Sequence, residues 1–142
     1  MEHTIGQVKR VYVWRFDMGR DLLQELNAAV QRAGIHHGTI VAGIGSLVTY
    51  HVHVVGEKKR PIPNLYMQGA GGYDLVAMQG YIIAGRVHAH ITIASEADTI
   101  GGHLEPGCEI YTFAIVTVAE LESIALDDFD AVRWPDEAED ST

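Results

Sequence analysis

The stretch Arg86-Val87-His88-Ala89-His90-Ile91-Thr92-Ile93 decides how this chain is read. Val87, Ala89, Ile91 and Ile93 recur at every second position, the period of a β-strand with one buried face. His88 and His90 then share the opposite face, and Arg86 has the same parity. The turn Ser95-Glu96-Ala97-Asp98 sends the chain back, and Gly101-Gly102-His103 carries a third imidazole towards that face. Three neutral imidazoles converging from a hairpin form an open transition-metal site, with one position left for water or a ligand. The predicted metal ligands are therefore His88, His90 and His103. Zinc suits them first, and imidazole also accepts nickel, cobalt, manganese and iron.

The neighbouring segments are also strands, with one exception. Val8 to Phe16 sets Tyr12, Trp14 and Phe16 on one parity and Val11 and Val13 on the other. Leu22, Leu23, Leu26, Ala29, Val30 and Ala33 follow helical spacing between Asp21 and a stop at Gly34. Thr39 to Leu47 and Val48 to Val55 read as two strands around Gly43-Ile44-Gly45-Ser46. Asp74 to Ile83 and Glu109 to Leu121 read as further strands. Lys58-Lys59-Arg60, Pro61 and Pro63 mark a loop, and Gly69 to Gly72 another. Many strands and one main helix predict an α+β fold, a single compact domain on a largely antiparallel twisted sheet. The domain is expected to span 1–126, with 127–142 an acidic C-terminal tail.

Composition narrows the setting. Hydrophobic content of 47% and charged content of 20% describe a soluble globular domain. No apolar run approaches the roughly 18 residues that span a bilayer, so no membrane partner is expected. The N-terminus lacks the basic-then-apolar layout of a signal peptide. Cys108 is the only cysteine, which suggests a reducing compartment and a cytoplasmic location.

The net charge is −9, and from Asp127 onward seven acids face one base, Arg133. An acidic end of this kind reads as a solvated terminus. Duplex DNA binding requires clustered Lys and Arg to neutralise phosphates. Only Lys58, Lys59 and Arg60 cluster here, with Lys9-Arg10 a smaller pair. The overall field opposes nucleic acid.

In order, the chain carries Asp21-Leu22, Ile40-Val-Ala-Gly-Ile-Gly-Ser-Leu47, Tyr73-Asp-Leu-Val-Ala-Met-Gln-Gly80, His88-Ala-His90, Gly101-Gly-His-Leu104 and Gly107-Cys108. This series resembles the plants-and-prokaryotes-conserved (PPC) domain family over about residues 8 to 122. The resemblance implies an α+β fold assembled as a homotrimer. It implies a metal on His88, His90 and His103, and it brings the family's usual description as DNA-binding. The chain departs from many members at Thr112-Phe113-Ala114, where they carry a glutamate, and it has no AT-hook core. Acetolactate decarboxylase, a metal lyase, is similar in placing a third histidine after a His-x-His strand.

Two residues near the predicted metal are weak catalytic candidates. Glu105 shares the parity of His103 and would act as a ligand or general base; the simpler reading is a turn residue before Pro106-Gly107. Arg86 would grip a carboxylate or phosphate, and the simpler reading pairs it with an acid at the strand start. No organic cofactor site is expected. Ser46 lacks the following helix of a nucleophile elbow and reads as a bulge or a tight packing site. Cys108 reads as a buried thiol. His51-Val52-His53 lacks a third histidine in a glycine-rich return and is assigned to surface or subunit contact, while His36-His37 reads as a turn. Three functions follow: a metal site that binds or processes a small anionic or carbonyl ligand, a DNA-binding regulator, or a metal-stabilised trimer without catalysis.

Overall fold

A computed structural model describes residues 1–135. It contains β1 (Gln7–Asp17), α1 (Leu22–Ala33), β2 (His37–Val55), β3 (Asn64–Ile83), β4 (Arg86–Ala94), β5 (Thr99–Leu104) and β6 (Ile110–Glu122). All strand pairings are antiparallel, in the order β1-β6-β2-β3-β4-β5. The α+β expectation holds, with one helix and one sheet among the described residues.

The sheet does not stay open. β2 is a single 19-residue strand, where the sequence suggests two. Its first half pairs with β6, and its second half pairs with β5 through Val52–Leu104 and His53–His103. Register shifts at Ile40/Ala42, Gly45/Leu47 and Leu47/Thr49 bend it between these partners. The second of these shifts passes through Ser46, as its reading as a bulge requires. β2, β3, β4 and β5 thereby close on themselves. The Gly69–Gly72 segment also lies inside a strand, β3, and not in a loop.

The helix starts and stops where the sequence says. The Asp21 carboxylate accepts the Gln24 amide at 3.0 Å, and Gly34 adopts the left-handed conformation (φ 67°). Leu22, Leu26, Ala29 and Val30 are buried, and α1 packs against β4. The core also takes Val87, Ala89, Ile91 and Ile93 from β4. Each buried Val, Leu or Ile among them contributes about 1.5–3 kcal/mol, and the alanines less. Because the helix takes the apolar face of β4, His88 and His90 are left on the other.

Val11, Val13 and Ile44 are 61%, 64% and 55% exposed on the β1-β6-β2 portion of the sheet. Among the described residues, no helix is long and apolar enough to cross a membrane. The acidic segment from Asp127 to Pro135 is not free in solvent along its length. Leu126 is buried, Asp127 contacts His37, and Asp130 reaches β4. The acids from Asp136 onward lie outside the described residues.

Candidate metal centre

Strand register builds the site. His103 of β5 lies opposite His90 of β4 on one side and opposite His53 of β2 on the other. The His53 and His103 rings stack at 4.3 Å between centroids. His88 stands 4.8 Å and His90 5.6 Å from His103, and the two are 5.6 Å from each other. Two glycines permit this closeness. A Cβ at Gly102 would stand 2.6 Å from the His53 carbonyl oxygen. Gly80 has φ 156°, and a Cβ there would stand 2.2 Å from the His88 carbonyl oxygen.

The structure brings all three predicted residues, His88, His90 and His103, into one cluster and adds a fourth imidazole. His53 is turned inward, its side chain only 16% exposed, and is not the surface residue its sequence context suggests. Glu105 joins it: Oε1 lies 2.5 Å from His53 Nδ1 and 3.3 Å from His103 Nδ1. The donor atoms of His53, His103 and Glu105 all fall within 4.8 Å of one another. His88 and His90 border that group through their rings. Glu105 is therefore part of the cluster, beyond its simpler reading as a turn residue. His51 is not part of it, since its Nδ1 lies 2.8 Å from the Pro106 carbonyl.

One atom stands out. His103 Nδ1 is buried and has no hydrogen-bond partner among the described residues, its contact with Glu105 not being aligned for one. An orphaned buried nitrogen costs free energy unless something else accepts its lone pair. Burial, then the neighbouring His53 and His88 rings, lower the His103 pKa; burial, His88 and His53 do the same at His90. Both imidazoles are thus held neutral, the form that ligates metal. The donor set of several imidazoles and a carboxylate fits a divalent transition ion.

At the other end of the cluster, Asp130 holds His88. Its Oδ2 lies 2.8 Å from His88 Nδ1, and Arg86 grips both carboxylate oxygens at 3.0 and 3.1 Å. These hydrogen bonds, first from Arg86 and then from His88, bring the Asp130 carboxyl down to about 2. Arg86 therefore pairs with an acid, as its simpler reading expects. Beside His88 and His90 opens a groove of about 820 Å³, lined also by Thr39, Gln79, Tyr81 and Phe129.

Cys108 is fully buried, its thiol pushed up to about 11 by desolvation, and it hydrogen-bonds the backbone of His51. It offers no thiolate to the cluster. Sequence reasoning missed His53 and Asp130. The only sequence signal for His53 was its own His-x-His, and Asp130 was one acid among seven.

This single-domain α+β fold is shared with known proteins. The profile of the Plants and Prokaryotes Conserved (PCC) domain matches residues 3–122, and the chain belongs to that family. A plant- and prokaryote-conserved protein from Pyrococcus horikoshii is 26% identical, with a TM-score of 0.72 over 87% of this chain and 86% of that one. A metal-containing protein from Archaeoglobus fulgidus is 20% identical, with a TM-score of 0.75 over 85% and 86%. A protein from Bacteroides thetaiotaomicron, named as a candidate DNA-binding protein, is 21% identical, with a TM-score of 0.66 over 83% and 85%. Among curated proteins, the bifunctional protein GlmU of a Synechococcus strain is 29% identical over 112 residues, 78% of this chain. The chain spans only 17% of that relative's length.

Proposed function

We propose that this protein binds a divalent transition metal, zinc first, through His88, His90 and His103, with His53 and Glu105 alongside. A small anionic or carbonyl-bearing ligand would enter by the adjoining groove. The orphaned His103 Nδ1 carries this reading, because it is a buried ring nitrogen that no hydrogen bond satisfies among the described residues. The metal-containing neighbour from Archaeoglobus adds support. When bound, such an ion supplies a Lewis acid and lowers the pKa of coordinated water. Around it, this chain keeps His90 and His103 neutral, and its groove receives the ligand.

Protein purified without a histidine tag should carry about one metal ion per chain by elemental analysis. Unchanged metal content in a His88→Ala, His90→Ala double variant would sink the proposal. Turnover of 2-keto or 2-hydroxy-2-acyl acids by the loaded protein separates an enzyme from a binder. A purely structural ion would leave such acids untouched, yet its chelation would lower the melting temperature and break the assembly. A homotrimer is part of the same reading, supported by the exposed Val11, Val13 and Ile44. Light scattering at any mass other than three chains would refute it. So is a cytoplasmic location, which rests on the lone cysteine and is checked by cell fractionation.

DNA binding is the second reading, favoured by the name of the Bacteroides neighbour. The geometry supports it poorly. Lys59 pairs with Glu57 at 3.4 Å, and the Arg60 guanidinium lies 3.8 Å from the Trp134 ring centre. Two of the three clustered cations are thus engaged within the chain. A mobility shift of labelled duplex at low salt and micromolar protein would revive it.

A further inference from the structure

The family match ends at residue 122, yet a group beyond it touches the histidine cluster. Residues 123–135 turn back over the sheet through Ser123 and Asp128, both at positive φ (55° and 60°). Leu126 is buried, and the Asp127 carboxylate takes a hydrogen bond from His37 Nε2 at 3.3 Å. These contacts set Asp130 against β4, where its side chain is only 17% exposed.

The Asp130 carboxylate meets His88 on one nitrogen only. An ionised carboxylate has no proton to give, so at 2.8 Å His88 Nδ1 must be the donor. Neutral His88 then carries its proton on Nδ1 and its lone pair on Nε2. The two contacts from Arg86 fix the orientation of the carboxylate. Arg86 is 60% exposed, and an ion pair that open to solvent stabilises a fold little. Its structural consequence lies in direction: it aims a carboxylate at one ring nitrogen. We infer that Asp130 is a positioning residue for His88, fixing the ring and tautomer that present Nε2 to the metal. The inference rests on the metal reading above, and it assigns to the C-terminal segment a part in tuning a site whose ligands all lie inside the family domain.

The test uses the full-length chain. In metal-free protein, ¹⁵N-labelled histidine spectra should show His88 protonated at Nδ1 in the wild type. Asp130→Ala should lose that signature, and Asp130→Asn, which still offers an oxygen acceptor, should restore it. In zinc titrations Asp130→Ala should weaken binding by about tenfold or more, the usual effect of removing a carboxylate behind a ligating histidine. The same substitution should add nothing in a His88→Ala background. An identical His88 tautomer in wild type and Asp130→Ala would overturn the inference. So would an equal loss of zinc affinity with and without His88, which marks a merely structural effect. If no form binds zinc, the metal reading fails, while the tautomer spectra still decide the role of Asp130.

Discussion

Two clusters in this protein have the same composition and different prospects. His36, His37 and Asp127 bring their donor atoms within 4.8 Å, as do His53, His103 and Glu105. In the first, both ring nitrogens of the buried His37 are already used. Its Nδ1 accepts the Ala84 amide at 3.2 Å, which leaves the Nε2 proton for Asp127. That imidazole ties the β3–β4 turn to the returning C-terminal segment. In the second, His103 Nδ1 has no hydrogen-bond partner among the described residues. A metal needs a free lone pair, so what distinguishes a site from a strut is the unspent valence, not the residue list.

The largest expected effect breaks or confirms this contrast directly. His103→Ala should abolish zinc binding in an equilibrium titration, while His37→Ala, which acts only through the seating of Asp130, lowers the affinity no more than Asp130→Ala does. His37→Ala should instead cost about 1–3 kcal/mol of stability in denaturant unfolding, because a buried backbone donor loses its acceptor. Loss of zinc in the His37 variant would erase the distinction between the two clusters.

A smaller effect follows from acid. The His90 and His103 pKa values are lowered in the folded state. Unfolded chains therefore take up protons at about pH 6.5 before these folded rings do. Metal-free protein should lose stability as pH falls from there towards the lowered values, and zinc should be released over the same range. Asp130 acts lower down: its contribution is present above 3.8 and is lost as pH falls towards about 2. Melting curves at stepped pH check both signs. Flat stability between pH 7.5 and 5 would mean the histidine cluster is not held neutral by its surroundings.

The smallest effect concerns sulfur. Cys108→Ala should retain zinc at wild-type affinity, and the native thiol should resist a thiol reagent until the protein unfolds, since its pKa stands at about 11. Fast labelling of folded protein would contradict its burial.

These contrasts also show what a linear sequence carries. The strand parity of Val87 to Ile93, the Asp21 and Gly34 caps and the return through Gly101-Gly102 are local signals, and all are present in the fold. His88, His90 and His103 meet because they belong to one hairpin. His53 joins them through a pairing between β2 and β5 separated by about fifty residues, which no local period encodes. β2 looked like two strands because its bulges interrupt the alternation while the backbone continues. Asp130 was hidden for another reason: a carboxylate that folds back and one that stays in water look alike until the apolar anchor at Leu126 is known to be buried.

The ring formed by β2, β3, β4 and β5 is sealed between β2 and β5 at only two register positions, Val52–Leu104 and His53–His103, with the Glu105 amide bonded to the His51 carbonyl just beyond them. A closure that short opens more readily than the long ladders around it. Hydrogen exchange at the Glu105 amide would then measure how often the imidazoles part. An ion bridging them would slow that exchange while leaving the β1–β6 ladder untouched, so the clasp of the barrel would report on its cargo.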